Sequence, residues 1–194
     1  MKKQLAATTA KGSSTRDRIL EIARTKLIQK GIDAFSLRDV ALTLGIKLGN
    51  VQYYFPSRES LVLQVLADEA AHDRALIQSH LDNSLGASAA FHAIVKDLTT
   101  RWRGESGILF STLGTLAIHN KAFKALYRTI YAEFYVALET PLRRLNTNLS
   151  AEELALRARL ITALIDGAPM QPQVSNKRIF LERIQTEAES IALA

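Results

Sequence analysis

The sequence predicts an all-α fold of about nine helices, and three observations carry that prediction. Apolar residues recur at helical spacing along most of the 194 residues. Nine glycines and four prolines punctuate the chain, too few for the many turns of a sandwich or barrel. No stretch alternates apolar and polar residues as a half-buried strand does. Hydrophobic residues make up 47% and charged residues 23%, the balance of a globular chain. A chain of this length buries one core, or a small domain joined to a larger one.

Residues 1–14 are small, polar and basic, and read as a flexible arm. Ser14 or Thr15 caps a first helix whose inner face is Ile19, Ile22, Ala23, Leu27 and Ile28, with Gly31 at its close. Ser36 opens a second helix, with Asp39 three residues on in the manner of a capping box. Gly45 stops it after about two turns. A third short helix runs from about Leu48 to Tyr54 and ends at Phe55-Pro56. Ser57 caps a fourth, carrying Leu61, Val62, Val65 and Leu66, and Leu81 to Ser88 is a connection.

Longer helices follow. Phe91, Ile94, Val95, Leu98 and Trp102 share a face, and Ile108 to Ile118 is apolar nearly all round, which predicts burial on more than one side. Phe123, Leu126, Tyr127, Ile130, Tyr131, Phe134, Tyr135 and Leu138 keep the i, i+3, i+4 rule until Pro141, expected to kink or end that helix. Ser150 caps Ala151–Gly167, with Glu152 and Glu153 where the macrodipole favours acids. A final helix covers roughly Ser175 to Ala192. The implied domains are an arm over 1–14, a three-helix domain over 15–58 and a helical bundle over 59–194.

Composition excludes several functions. With no cysteine there is no disulfide framework, thiolate metal site or Cys nucleophile. No apolar run approaches a membrane span and the start lacks a signal sequence, so a soluble, cytoplasmic protein without membrane partners is expected. The four histidines make no metalloprotease pattern, and phosphate loops and nucleophile elbows are missing. Asp68, Glu69, His72 and Asp73 can share a helix face as a surface metal site, but a solvated charged face is the plainer reading. No catalytic residue, cofactor or metal is expected.

Two features point to nucleic acid. Residues 1–58 hold 11 Lys/Arg against 4 Asp/Glu, whereas 59–194 hold 14 against 15. The positive excess therefore sits wholly in the first third, as a segment meeting a polyanion requires. Within it, Ala41 is small where two helices cross, Gly45 can take the positive φ of a tight turn, and Ile46 and Val51 seal the angle against Leu37 and Val40. A helix-turn-helix needs this spacing, although many helical hairpins share it.

The runs Thr15-Arg16-Asp17-Arg18-Ile19-Leu20, Ser36-Leu37-Arg38-Asp39-Val40-Ala41, Leu44-Gly45-Ile46, Gly49-Asn50-Val51-Gln52-Tyr53-Tyr54-Phe55 and Pro56-Ser57-Arg58-Glu59-Ser60-Leu61 together resemble the DNA-binding domain of TetR-family regulators. Leu164-Ile165-Asp166-Gly167 resembles the end of that family's eighth helix. The resemblance implies an N-terminal helix-turn-helix DNA-binding domain, a C-terminal bundle that binds a small molecule, and a homodimer on double-stranded operator DNA. The third helix then lies in the major groove. Arg38 reaches base edges, Lys47, Leu48 and Asn50 face the groove, and Tyr53 touches a thymine methyl. Tyr54 and Arg58 match phosphate-contacting positions, Ser36 and Ser57 offer hydroxyls and amides, and Lys11, Arg16 and Arg18 add a sequence-blind attraction. The family often has Ser or Thr where this chain has Lys47, so the recognition helix is expected to lack its usual side-chain cap.

In the bundle, Trp102, Phe110, His119, Tyr127, Tyr131 and Phe134 are candidates for lining a pocket for an unknown small-molecule effector, against a plain core role for each. Leu154, Ile161, Leu164, Ile165, Ile179, Phe180 and Ile184 are candidates for the dimer interface. The resemblance implies a repressor released from its operator by that effector. A bundle enzyme leaves the basic head unexplained, and a helix-turn-helix turned to protein contact is the other alternative.

Overall fold

The computed structural model describes residues 2–83, 86–168, 171 and 177–194, with side chains described from Thr15 and, in the last stretch, from Arg178. Among them the chain is helical, without a strand: α1 (Lys2–Lys30), α2 (Leu37–Leu44), α3 (Leu48–Tyr54), α4 (Arg58–Asp82), α5 (Ala87–Trp102), α6 (Glu105–His119), α7 (Lys121–Leu145), α8 (Ala151–Gly167) and α9 (Lys177–Leu193). Ser175 and the side chain of Lys11 lie outside the described residues. Two compact units divide the chain, the first ending at Asp68 and the second running from Glu69. Their boundary falls inside α4, beyond the Arg58 boundary that the capping pattern suggests. No helix among the described residues is long and apolar enough to cross a membrane.

In the first unit α1 buries Ile19, Ala23 and Leu27, and Gly31 closes it at φ 72°. The helix starts at Lys2, not at a Ser14 or Thr15 cap, so the backbone of the expected flexible arm is helical. Lys, Gln, Leu and Ala dominate its first turns and all favour helix. Gly12 and the serines after it cost about 1 kcal/mol or less each, which a continuing helix tolerates. Val40, Ala41, Val51, Phe55, Leu61, Val62, Val65 and Leu66 complete this core.

In the second unit α7 packs on α6 and α8, while α9 packs on α8 and α5. Helix α6 is buried along one stripe of Leu109, Phe110, Leu113 and Ala117, whereas Ile108 and Ile118 stand exposed. Burial on more than one side is thus not found within one chain, because its neighbours cover a single face. Helix α7 also passes Pro141 and ends at Leu145. The proline removes one backbone donor, but Pro141 and Leu142 are both buried, and that packing holds the last turn in place.

The dimer-interface candidates need correction. Leu154, Ile161, Ile165 and Ile184 are buried inside a single chain, where they join α8 and α9 to the bundle. Leu164 and Phe180 are half-buried, and Ile179 is exposed. The apolar surface α8 leaves to solvent is instead Leu156 and Leu160, with Ala163 one turn on. Periodicity marked the apolar stripes of these helices but not which stripe the chain covers itself.

Candidate nucleic-acid interface and cavity

Local rules build the head of the first unit. The Ser36 hydroxyl accepts from the Asp39 amide at 3.1 Å, which caps α2. Gly45 ends that helix at φ 66°, and the Ile46 amide donates to the Ala41 carbonyl at 3.0 Å, so the chain reverses at once into α3. Buried Val51 anchors α3, and Ile46 is half-buried beside the turn. Lys47 stands at the N-cap of α3 and gives it no side-chain hydrogen bond, as its long ammonium stem implies.

The residues expected to meet DNA fall on the uncovered side. Arg38, Lys47, Asn50 and Arg58 are exposed, and Leu48 and Tyr54 are half-buried. Tyr53 is 82% exposed, its ring edge-to-face with Tyr54 at 5.1 Å, so it does not pack into the core. Among the described residues Arg38 forms no ion pair, since Asp39 pairs with Lys30 at 3.2 Å. The Ser36 hydroxyl accepts at the cap yet keeps a proton to donate.

Two expected roles are narrowed by contacts the sequence did not announce. The Arg58 guanidinium donates to the Ile32 carbonyl, which ties the start of α4 to the loop after α1. Ser57 and Ser60 cap one another, amide to hydroxyl, at 3.0 and 3.1 Å, so the Ser57 amide is already engaged. Arg16 lies 5.4 Å over the Phe55 ring. Exposed Leu42 on α2 also escaped the sequence reading, although an apolar residue opposite Val40 and Ala41 is the available signal.

The second unit holds a cavity of about 380 Å³, open to solvent on one side, lined by Trp102 of α5, Gly107, Phe110, Ser111, Gly114, Thr115 and Ile118 of α6, Tyr127 and Tyr131 of α7, and Asp166 of α8. Of the pocket candidates, Trp102, Phe110, Tyr127 and Tyr131 meet there. Phe134 is buried behind Trp102, at 6.1 Å between ring centres, and does not line the space. His119 is exposed at the last residue of α6 and lies outside the lining, because the helix turns it away from the face carrying Phe110 and Gly114.

The environment of the polar groups behind the aromatic wall differs from the sequence expectation. Glu69 and Asp73, read as a solvated face or a surface metal site, are buried on α4. Arg101 bridges them at 2.9 and 2.8 Å, the Trp102 indole donates to Asp73 at 2.7 Å, and the Ser106 hydroxyl donates to Glu69. Burial pushes the Asp73 carboxyl up despite Arg101. Asp166 accepts from the Tyr131 hydroxyl at 2.9 Å, and burial pushes it up to about 7. The same burial, with the neighbouring Asp166 charge, pushes the Tyr131 phenol well above its ordinary range, so it stays a donor. A signal existed: Glu69 and Asp73 continue the buried register of Val62, Val65 and Leu66.

Residues 19–65 match the family model for bacterial regulatory proteins of the tetR family. The chain is 36% identical over 61 residues to the HTH-type transcriptional repressor KstR2 of Mycolicibacterium smegmatis, a match covering 31% of this chain and 30% of that protein. A TetR transcriptional regulator from Legionella pneumophila has a similar structure, with a TM-score of 0.73 at 22% identity over 91% of this chain and 96% of that one. So has a putative transcriptional regulator from Saccharomonospora viridis, solved in complex with choline, with a TM-score of 0.72 at 19% identity over 92% and 95% of the two chains. These likenesses establish the fold, with an N-terminal helix-turn-helix and a C-terminal helical unit.

Proposed function

We propose that this chain, which belongs to the tetR family of bacterial regulatory proteins, represses transcription by holding operator DNA as a homodimer and lets go when a small molecule occupies its cavity. One observation carries the DNA half. Arg38, Lys47, Asn50 and Tyr53 project from α2 and α3 into solvent, while the opposite side of α3 is sealed by Val51. Exposed donors on a short helix with a basic surround suit direct readout in the major groove. The excess charge of the first 58 residues supplies the long-range, sequence-blind attraction.

For the dimer, the uncovered Leu156, Leu160 and Ala163 face of α8 supports a second copy of the chain as its cover, in place of the buried residues first expected. Two-fold symmetry then sets paired half-sites about 34 Å or more apart. Release by an effector is a shift between two arrangements of the dimer, driven by a ligand that prefers one. The aromatic cavity in the second unit supports that reading, as does a structural neighbour solved with a small molecule.

The test is a genome-wide footprint of bound DNA followed by titration of the sites found at several salt concentrations. Affinity should fall steeply with salt, and Arg58→Ala should flatten the logarithmic slope by about one. A protein that ignores every footprinted fragment at low ionic strength overturns the reading.

A further inference from the structure

We propose that the cavity of the second unit receives a small organic cation, held by the Asp166 carboxylate within an aromatic wall. The proposal rests on the reading that this cavity takes the effector, and it names the effector's chemical class.

Asp166 carries the weight of it. One carboxylate oxygen accepts from Tyr131, whereas Oδ1 is buried and has no hydrogen-bond partner among the described residues. No Lys, Arg or His among those residues forms an ion pair with it. Arg159, on the same helix, lies 5.0 Å over Tyr135, and Arg103 donates to the Ala168 carbonyl and lies 5.3 Å over Phe180. A buried acceptor without a donor is costly, and a buried charge without a counter-charge more so. An anionic ligand is repelled here, and an apolar one leaves the oxygen as it was. A cation answers both the charge and the open lone pair.

The walls select in the same direction. Trp102, Phe110, Tyr127 and Tyr131 surround the space, and aromatic faces attract cations through their quadrupole. Behind Trp102 two carboxylates, Glu69 and Asp73, share Arg101, and the negative charge of Asp73 reaches Asp166. A metal ion is a poor fit, because no group of three potential ligands gathers among the described residues. A cavity of about 380 Å³ has room for a protonated amine bearing an aryl or alkyl body.

Burial leaves the Asp166 carboxyl half-protonated near pH 7, so a cation must draw it into the ionised form. The titratable and charged groups around it are Tyr127, Tyr131 and Tyr135 on α7, Asp73 on α4, and Arg159 on its own helix. Asp166 itself changes charge near neutrality. Cation affinity should therefore fall about tenfold for each pH unit below 7.

Trp102 is the single tryptophan of the sequence, so intrinsic fluorescence reports on this wall directly. The probes are benzylammonium and its uncharged carbon isostere, ethylbenzene, titrated into the full chain at pH 8. We expect saturable quenching with the cation bound about tenfold or more tightly than the isostere, and a ratio near one in Asp166→Asn. Equal affinity for the two probes in the unaltered protein, or no saturable response to the cation, overturns the proposal. That comparison decides even if the variant does not fold. Operator binding followed in the same titration separates the two readings. Charge discrimination without any change in DNA affinity keeps the cation site and removes effector-driven release. DNA release by both probes alike removes the cation site and keeps effector-driven release.

Discussion

The two units keep their charge in opposite places. In the first, Arg38, Lys47 and Arg58 stand in water around α3, and the core beneath them is apolar throughout. In the second, net charge is near zero, yet Glu69 and Asp73 are buried and half-buried Asp166 lines the cavity beside aromatic rings. Exposed cations act at long range, sum over many sites and are weakened by salt. Buried carboxylates act at a few ångströms, escape screening and cost stability unless each is met by a partner. On the proposed function, one unit finds a large polyanion and the other discriminates something small.

The sharpest way to break this contrast is to strip the buried acids of their counter-charge. Arg101→Ala leaves Glu69 and Asp73 facing one another in the interior, and should cost about 3 kcal/mol or more, read by urea denaturation. A loss below about 1 kcal/mol means that water reaches those carboxylates. A comparable effect should appear in pH. Because Asp166 titrates near 7 when folded and at its ordinary acidic value when unfolded, the unfolded chain binds fewer protons between. Stability contributed at this site is then lost as pH rises from 4 through 7, by up to about 4 kcal/mol. Asp166→Asn should gain on the unaltered protein across that window, and parallel pH profiles argue against a buried carboxyl.

Smaller effects belong to the head. Arg38→Ala should cost about 1–3 kcal/mol of discrimination at one base pair in each half-site, measured by competition among operator variants. Uniform weakening across all variants instead assigns Arg38 to phosphates. Smallest is Gly45→Ala. Space is open around the added methyl, but at φ 66° the left-handed backbone should cost about 1 kcal/mol in melting experiments.

How much was legible beforehand follows the same division. The head is made of short-range rules: a serine accepting from an amide three residues on, a glycine at positive φ, a small residue at a crossing. Each can be read off a few consecutive residues, and so α2 and α3 have the predicted bounds. The bundle depends on which helix covers which stripe. Periodicity marked Leu154, Ile161 and Ile165 as apolar, but nothing local says that α7, α9 and α5 pack on α8 so as to leave Leu156 and Leu160 outside. Asp166 looked like a helix-closing residue, because its partner Tyr131 is 35 positions away. His119 was attractive for its chemistry alone, and one step of helical rotation set it outside the cavity.

The open lone pair of Asp166 has a practical consequence. Any compound that donates to Oδ1 relieves a cost the folded chain otherwise bears alone, and it cannot do the same for the unfolded chain. Heat resistance and occupancy must therefore rise together, by about 2.7 kcal/mol when the compound stands at a hundred times its dissociation constant. A ligand for this cavity can therefore be sought by melting the protein against a chemical library, with no operator needed.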